Sequence, residues 1–232
     1  MSDERSEHRE ASDRAEGVRR IVALTERRRA VEIALDDESR FVVDVETAVR
    51  LGLRVGRALG PNDFAALAEE ERRSAAYRRA LFFLAYRSRS AAEVRAALAR
   101  SGYGDVADAI VARLQAEGYL DDRRFAREWV LGRLAGRPRS RAALRAELRR
   151  LGVPEDAVRE ALEDVDDDAE LAAAIRVARA AWEKSRKDPP LRRRQRVMAK
   201  LYRHGFSPDV AALALRQAMA DAGEEDEAAP ED

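Results

Sequence analysis

Two tryptophans and two glycines fix a period in this chain. Trp129 and Trp182 are 53 residues apart, as are Gly152 and Gly205, and between these landmarks the two stretches align without a gap. Leu148-Arg149-Arg150-Leu151-Gly152-Val153 lies over Leu201-Tyr202-Arg203-His204-Gly205-Phe206. A third copy stands 50 residues upstream of the second, where Arg89-Ser90 and Leu98-Ala99-Arg100-Ser101-Gly102-Tyr103 match Arg139-Ser140 and the segment from Leu148 to Val153. That copy has no tryptophan at the equivalent position. A unit of this size cannot bury its apolar face alone, so repetition at this period predicts stacked helical units that bind along a surface.

Breaks at Ser88 and Ser90, Gly102 to Gly104, Gly118, Arg137-Pro138, Gly152 to Pro154, Asp188 to Pro190 and Gly205 to Pro208 divide each unit into three helices. The expected helices are 76–87, 90–101 and 104–117; then 121–135, 139–151 and 154–164; then 167–187, 190–204 and 207–221. Val106, Ile110 and Leu114 make an apolar stripe at helical spacing, as do Leu144, Leu148 and Leu151. Gly102, Gly152 and Gly205 each close a helix where a left-handed residue is needed, and the next residue packs back on that helix.

Upstream, Ile21 to Leu24, Ala30 to Leu35 and Phe41 to Val43 are short runs with β-branched residues around an acidic turn at Asp36 to Ser39. They predict a small antiparallel sheet, followed by a short helix over Val45 to Leu51. Asn62 is the expected cap of a long helix reaching Leu84, which would cover the sheet. The expected organisation is therefore mainly α, with tandem three-helix repeats in an elongated curved array and a small N-terminal β element. The boundaries read as a disordered tail at 1–17, a β-rich element at 18–60, the long helix and first repeat at 61–119, the second repeat at 120–165, the third at 166–221, and an acidic disordered tail at 222–232.

Charge is zero overall but strongly patterned. Residues 1–17 hold six acids and three arginines, and 221–232 hold seven acids and no base, which leaves a remainder of +10. The stretch 123–150 has ten bases against two acids, 176–204 has eleven against two, and 155–170 has one against nine. The basic blocks point to a polyanionic or acidic partner. There is no cysteine, and the longest apolar run, Ala80 to Tyr86, is far shorter than the roughly 20 residues that span a bilayer, so a soluble cytoplasmic protein is expected.

Signals for catalysis are nearly absent. No glycine precedes a lysine and no GxGxxG occurs, so neither phosphate-loop type is present. His8 and His204 are isolated, which argues against a metal site or a nucleophile triad. Asp121-Asp122 and Asp166-Asp167-Asp168 read as helix caps in preference to Mg²⁺ ligands. No cofactor is expected. Trp129 and Trp182 read as core residues in preference to base-stacking platforms.

The basic helices carry more information. Arg141, Arg145 and Arg149 follow one another at intervals of four beside the leucine stripe, and Arg193, Arg196, Lys200 and Arg203 follow at intervals of three or four beside Val197 and Leu201. Arg89, Arg139 and Arg192 occupy one register across the three copies, and Arg100, Arg150 and Arg203 another. Any single arginine serves to cover apolar edges with its stem, but ridges repeated in register can line one groove for phosphates or an acidic surface.

The segments Ala80-Leu81-Phe82-Phe83-Leu84-Ala85-Tyr86-Arg87-Ser88-Arg89-Ser90, Gly118-Tyr119-Leu120-Asp121-Asp122 with Phe125-Ala126, and Arg203-His204-Gly205-Phe206-Ser207 resemble the bacterial RecX regulatory proteins. The resemblance runs from about Ile21 to Met219. It implies a monomeric, non-enzymatic regulator of RecA that lies in the groove of the RecA–DNA filament, binds bare DNA weakly and non-specifically, and lowers ATP hydrolysis, strand exchange and co-protease activity. It implies no catalytic residue. The competing expectations are a stand-alone helical-repeat transcription regulator and, well behind, a metal nuclease built on the acidic clusters.

Overall fold

A computed structural model of the protein describes residues 17–28 and 30–224. The tails expected at 1–17 and 222–232 lie outside the described residues, but for Gly17 and residues 222–224. The architecture is mainly α, with a small N-terminal antiparallel sheet followed along the chain by three tandem three-helix domains. The chain forms two compact units: one runs to Arg87 and takes in Val94–Glu117, and the other joins Ser88–Glu93 to the residues from Gly118 onward.

In the first unit, β1 (Arg19–Arg27), β2 (Ala30–Leu35), β3 (Arg40–Asp44) and β4 (Ala58–Leu59) form one sheet in the order β3-β2-β1-β4. Ile33 pairs with Leu24 on one side and Phe41 on the other. Helix α1 (Val45–Arg50) starts on Asp44, whose carboxylate accepts from Thr47 N at 2.7 Å. Strand β4 goes beyond the three expected strands: two residues carry no periodicity, and only their pairing with Arg19 and Arg20 defines them.

Helix α2 (Pro61–Leu84) is a single 24-residue helix. Its first half covers the sheet, where Phe64 and Leu67 join Ile21, Ile33, Val43 and Leu59 in one core. Its cap is Gly60 and not the expected Asn62, because Pro61 takes the first helical position and Asp63 reaches back to the Gly60 N–H at 2.9 Å. The helix also closes the β3 edge, with Glu71 accepting from Val42 N at 2.8 Å and Ser74 from Asp44 N at 3.1 Å. Such side chains remove donors that would otherwise template another strand. The C-terminal half of α2 packs against α4 (Ala107–Ala116), and its Arg79, Ala80 and Phe83 border a cavity shared with α3 (Ala91–Arg100).

The second unit contains α5 (Asp122–Gly136), α6 (Arg141–Arg150) and α7 (Glu155–Ala161), then α8 (Asp167–Lys184), α9 (Pro190–Arg203) and α10 (Pro208–Asp221). Asp121, Ser140, Asp166 and Ser207 cap α5, α6, α8 and α10 with side-chain oxygens. The acidic clusters at Asp121 and Asp166 therefore start helices, as their sequence context predicts. Leu144 and Leu148 of α6 are fully buried, each worth about 1.5–3 kcal/mol of apolar burial.

The glycine turns are alike in all three repeats. Gly102, Gly152 and Gly205 have φ of 86°, 74° and 89°. The residue after each donates back to the helix: Tyr103 N to Leu98 O at 2.9 Å, Val153 N to Leu148 O at 3.1 Å, and Phe206 N to Leu201 O at 3.2 Å. This is the Schellman pattern, which satisfies orphan helix carbonyls by means of a left-handed residue.

Within the second unit these turns also make a joint between repeats. Ser90 Oγ donates to Leu151 O at 2.5 Å, and Ser140 N donates to His204 O at 3.1 Å. Ser90 and Ser140 share a register, and so do Leu151 and His204. The starting serine of one middle helix thus seats on the closing turn of the next. The seat leaves no room for a side chain: a Cβ on Gly152 would collide with Ala92, and one on Gly205 would lie 2.7 Å from Ser140 Oγ.

Candidate polyanion interface

The two basic blocks fare differently. In 123–150 most arginines are neutralised by the chain itself. Arg123 and Arg127 reach Glu160, Arg133 and Arg139 reach Glu147, and Arg145 and Arg149 both reach Glu155, the latter at 2.7 Å. The Arg149 guanidinium holds the Glu155 carboxyl below its usual range. The acidic stretch that starts at Glu155 is thus in part the internal counter-charge of the basic block before it.

The predicted ridge residues take distinct places. Arg141 is half-buried on the first turn of α6, and its backbone N–H bonds Glu170. Arg139 donates to Arg203 O at 2.8 Å, so it joins the second and third repeats. Arg192 is exposed at the start of α9, whereas Arg193 is only 11% exposed. The Arg193 guanidinium lies 3.8 Å from the Trp182 ring centroid, donates to Trp182 O, and pairs with Glu224 at 2.6 Å. Arg196 pairs with Asp188 at 2.7 Å while staying largely exposed.

Lys200 and Arg203 belong to a groove. A cleft of about 570 Å³ is lined by Arg137, Pro138, Arg139, Arg176, Lys200 and His204 together with small residues of α5 and α8. A neighbouring cleft of about 320 Å³ is lined by Ala181, Lys184, Ser185, Arg196, Lys200 and Arg203. Lys200 belongs to both, and neither lining contains a carboxylate. Among the described residues Arg176, Lys184, Lys200 and Arg203 make no ion pair with an acid. A concave surface with one sign of charge and low-dielectric walls focuses potential on a bound anion.

Lys200 also marks a difference between the repeats. It stands in the register of Glu147, which accepts from the Trp129 indole N–H at 3.1 Å. A lysine cannot accept, so the Trp182 N–H has no hydrogen-bond partner among the described residues, and the stack with Arg193 seals that ring instead. His204 closes α9 with Nδ1 2.6 Å from Pro138 O. Burial, and the nearby cations Arg139, Lys200 and Arg203, push its pKa below the ordinary value, against the opposing pull of the Pro138 hydrogen bond.

Comparison with known families assigns the three helical units. Residues 76–114 match the first three-helix domain of RecX, 121–162 the second, and 168–215 the third. The chain belongs to the RecX family. It is 30% identical to the regulatory protein RecX of Bacillus licheniformis over 86% of this chain and 76% of that one. It is 33% identical to RecX of Geobacillus kaustophilus, over 76% of this chain and 66% of the relative. Among solved structures, a crystal structure of regulatory protein RecX superposes with a TM-score of 0.70 at 23% identity, covering 86% of this chain and 99% of that chain. RecX from Lactobacillus salivarius gives 0.55 at 18% identity, covering 65% and 98%. At these identities the superpositions speak for the fold.

In RecX terms, the groove lies where the second and third domains meet inside the second unit. Arg137, Arg176 and Lys184 line it beyond the residues that the repeat register points to. Arg176 and Lys184 lie eight residues apart on α8 with Ala180 between them, a single-face spacing that is legible in the sequence. Arg137 sits in a connection, where no periodicity applies. Among the described residues no helix is long and apolar enough to cross a membrane, and no group of acids or histidines is arranged to hold a metal ion.

Proposed function

We propose that this chain is a RecA regulator that binds the RecA–DNA filament and inhibits ATP hydrolysis, strand exchange and co-protease activity without chemistry of its own. In this reading it acts in the cytoplasm as a monomer, and its affinity for bare DNA is weak and non-specific. The observation that carries the reading is the carboxylate-free groove around Lys200, which suits a phosphate backbone or an acidic filament surface. Arg139, Arg141, Arg145, Arg149, Arg192, Arg193, Arg196, Lys200 and Arg203 are the proposed contacts from the repeat register, and Arg137, Arg176 and Lys184 join them from the groove. Arg193 and Arg139 carry structural contacts as well. Family membership supports the regulatory role, and attachment points spread over several helices suit multivalent binding to a polymer.

The test is to add the purified protein to RecA on single-stranded DNA and follow ATP hydrolysis at substoichiometric ratios. Inhibition well beyond one RecA per added chain is expected. Unchanged hydrolysis, with tight and sequence-selective binding to bare duplex, would replace this reading with a stand-alone DNA-binding protein.

A further inference from the structure

The missing tryptophan of the first repeat leaves a hole. Arg79 stands in the register of Trp129 and Trp182, Phe83 in that of Arg133, and Ala97 in that of Glu147. In the second repeat that corner is filled: Trp129 packs against Phe125 at 5.8 Å between centroids, lies under Arg133 at 4.4 Å, and donates to Glu147. In the first repeat the same corner is an open cavity of about 270 Å³ between α2 and α3. Its floor is the buried Ala80, Val94 and Leu98, its walls include Phe83 and Ala97, and Arg79 and Arg100 stand at the rim.

The helix surface that adjoins the socket at Arg79 has the make-up of a protein contact. Phe82 and Tyr86 are 55% and 71% exposed and stack edge to face at 5.1 Å, with the Arg79 guanidinium over the Phe82 ring. Exposed aromatics and arginines around an apolar socket are the residues that dominate binding energy at interfaces. The volume is below the range of about 300–1,000 Å³ typical of sites for whole small molecules, and suits one large side chain. The lining holds no acid, so the two arginines favour a carboxylate beside that side chain.

We infer that the first repeat carries an anchor socket for a partner protein, which inserts a tryptophan-sized side chain flanked by an acidic residue where the sister repeats insert their own tryptophan. The buried floor of Ala80, Val94 and Leu98 is apolar and the polar lining residues Arg79, Arg100 and Ser101 are exposed, which favours an apolar side chain of a protein segment over an unstacked nucleotide. The inference stands apart from the polyanion groove, and it goes beyond the filament reading by naming a second contact of different chemistry.

The test uses the full chain with labelled methyl groups at Val94 and Leu98, followed by NMR. The probes are the blocked dipeptides N-acetyl-Trp-Glu-amide and N-acetyl-Trp-Lys-amide and an oligo(dT) strand. Saturable shifts of both residues with the Trp-Glu probe are expected, weakened about fivefold with the Trp-Lys probe or in Arg100→Glu. They are expected to vanish in Arg79→Trp, which rebuilds the filled corner, and in Ala97→Phe, which fills it from the opposite wall should the first variant fold poorly. Methyl groups that do not move, binding that survives both fillings in folded protein, or oligo(dT) shifting these methyls where the dipeptide does not, would each overturn the inference. The titration contains no recombinase, so its failure and the failure of the filament reading are separate results.

Discussion

Gly205 lies against Ser140: a Cβ built on the glycine would sit 2.7 Å from the serine Oγ and 2.8 Å from the Ala143 Cβ. The glycine also has a φ of 89°. Gly205→Ala therefore meets both a conformational and a steric penalty, and is expected to destabilise by about 2–4 kcal/mol in urea denaturation. Gly152→Ala should behave alike against Ala92. Gly102 has the same backbone but open space, so Gly102→Ala should cost only about 1–2 kcal/mol. Equal losses at all three glycines would show that the joint adds nothing to the turn.

Arg192 and Arg193 are neighbours in sequence with opposite duties. Arg193→Ala removes a desolvated stack on Trp182 and the Glu224 pair, and should cost about 1–2 kcal/mol of stability. Arg192→Ala should stay within about 0.5 kcal/mol of the parent. Denaturant midpoints of the two variants check the contrast.

His204 makes stability pH-dependent in a window of its own. Its folded pKa is lowered, so the folded state prefers the neutral ring. The contribution is fully present above the ordinary histidine value, and is lost as pH falls from there through the folded pKa. Melting temperature should drop as pH falls from about 7.5 to about 5.5, before ordinary carboxylates titrate. His204→Asn keeps a donor for Pro138 O without a titrating group, and should flatten that segment of the profile; an unchanged slope would assign it elsewhere.

Charge reversal should separate free cations from neutralised ones. Arg176→Glu, Lys184→Glu and Lys200→Glu together should weaken binding to RecA-coated single-stranded DNA. Binding should also become less salt-dependent, by about 0.7–0.9 in logarithmic slope for each phosphate that the variant no longer neutralises. Arg145→Glu with Arg149→Glu should have a smaller effect, because Glu155 already offsets both. Fluorescence anisotropy across a salt series measures each slope.

The repeat, its glycine turns and the sheet strands are legible in the sequence because each is a local rule: a period, a left-handed position, an alternation around a turn. The division of labour among arginines is not. Arg192 and Arg193 differ by one position, a rotation of about 100° around the helix, and only the location of Trp182 decides which is buried. The pairing of Arg145 and Arg149 with Glu155 depends on how α7 folds back on α6, which charge counts along the chain do not encode. The groove draws on α8, α9 and the connection at Arg137, so no single segment displays it. The socket is visible as an absent letter, the tryptophan missing from the first copy, but its consequence requires the other two copies as a mould.

Ser90 and Ser140 seat on the closing turns at Leu151 and His204, and the third repeat departs from that pattern. At that register it carries Arg193, which folds onto its own tryptophan and bonds Glu224 just past the last helix. A single change of residue type thus exchanges a contact between repeats for one within a repeat. An added fourth unit would have to restore serine there before it could mount, while deleting the third would leave Ser140 and Pro138 with nothing to rest against.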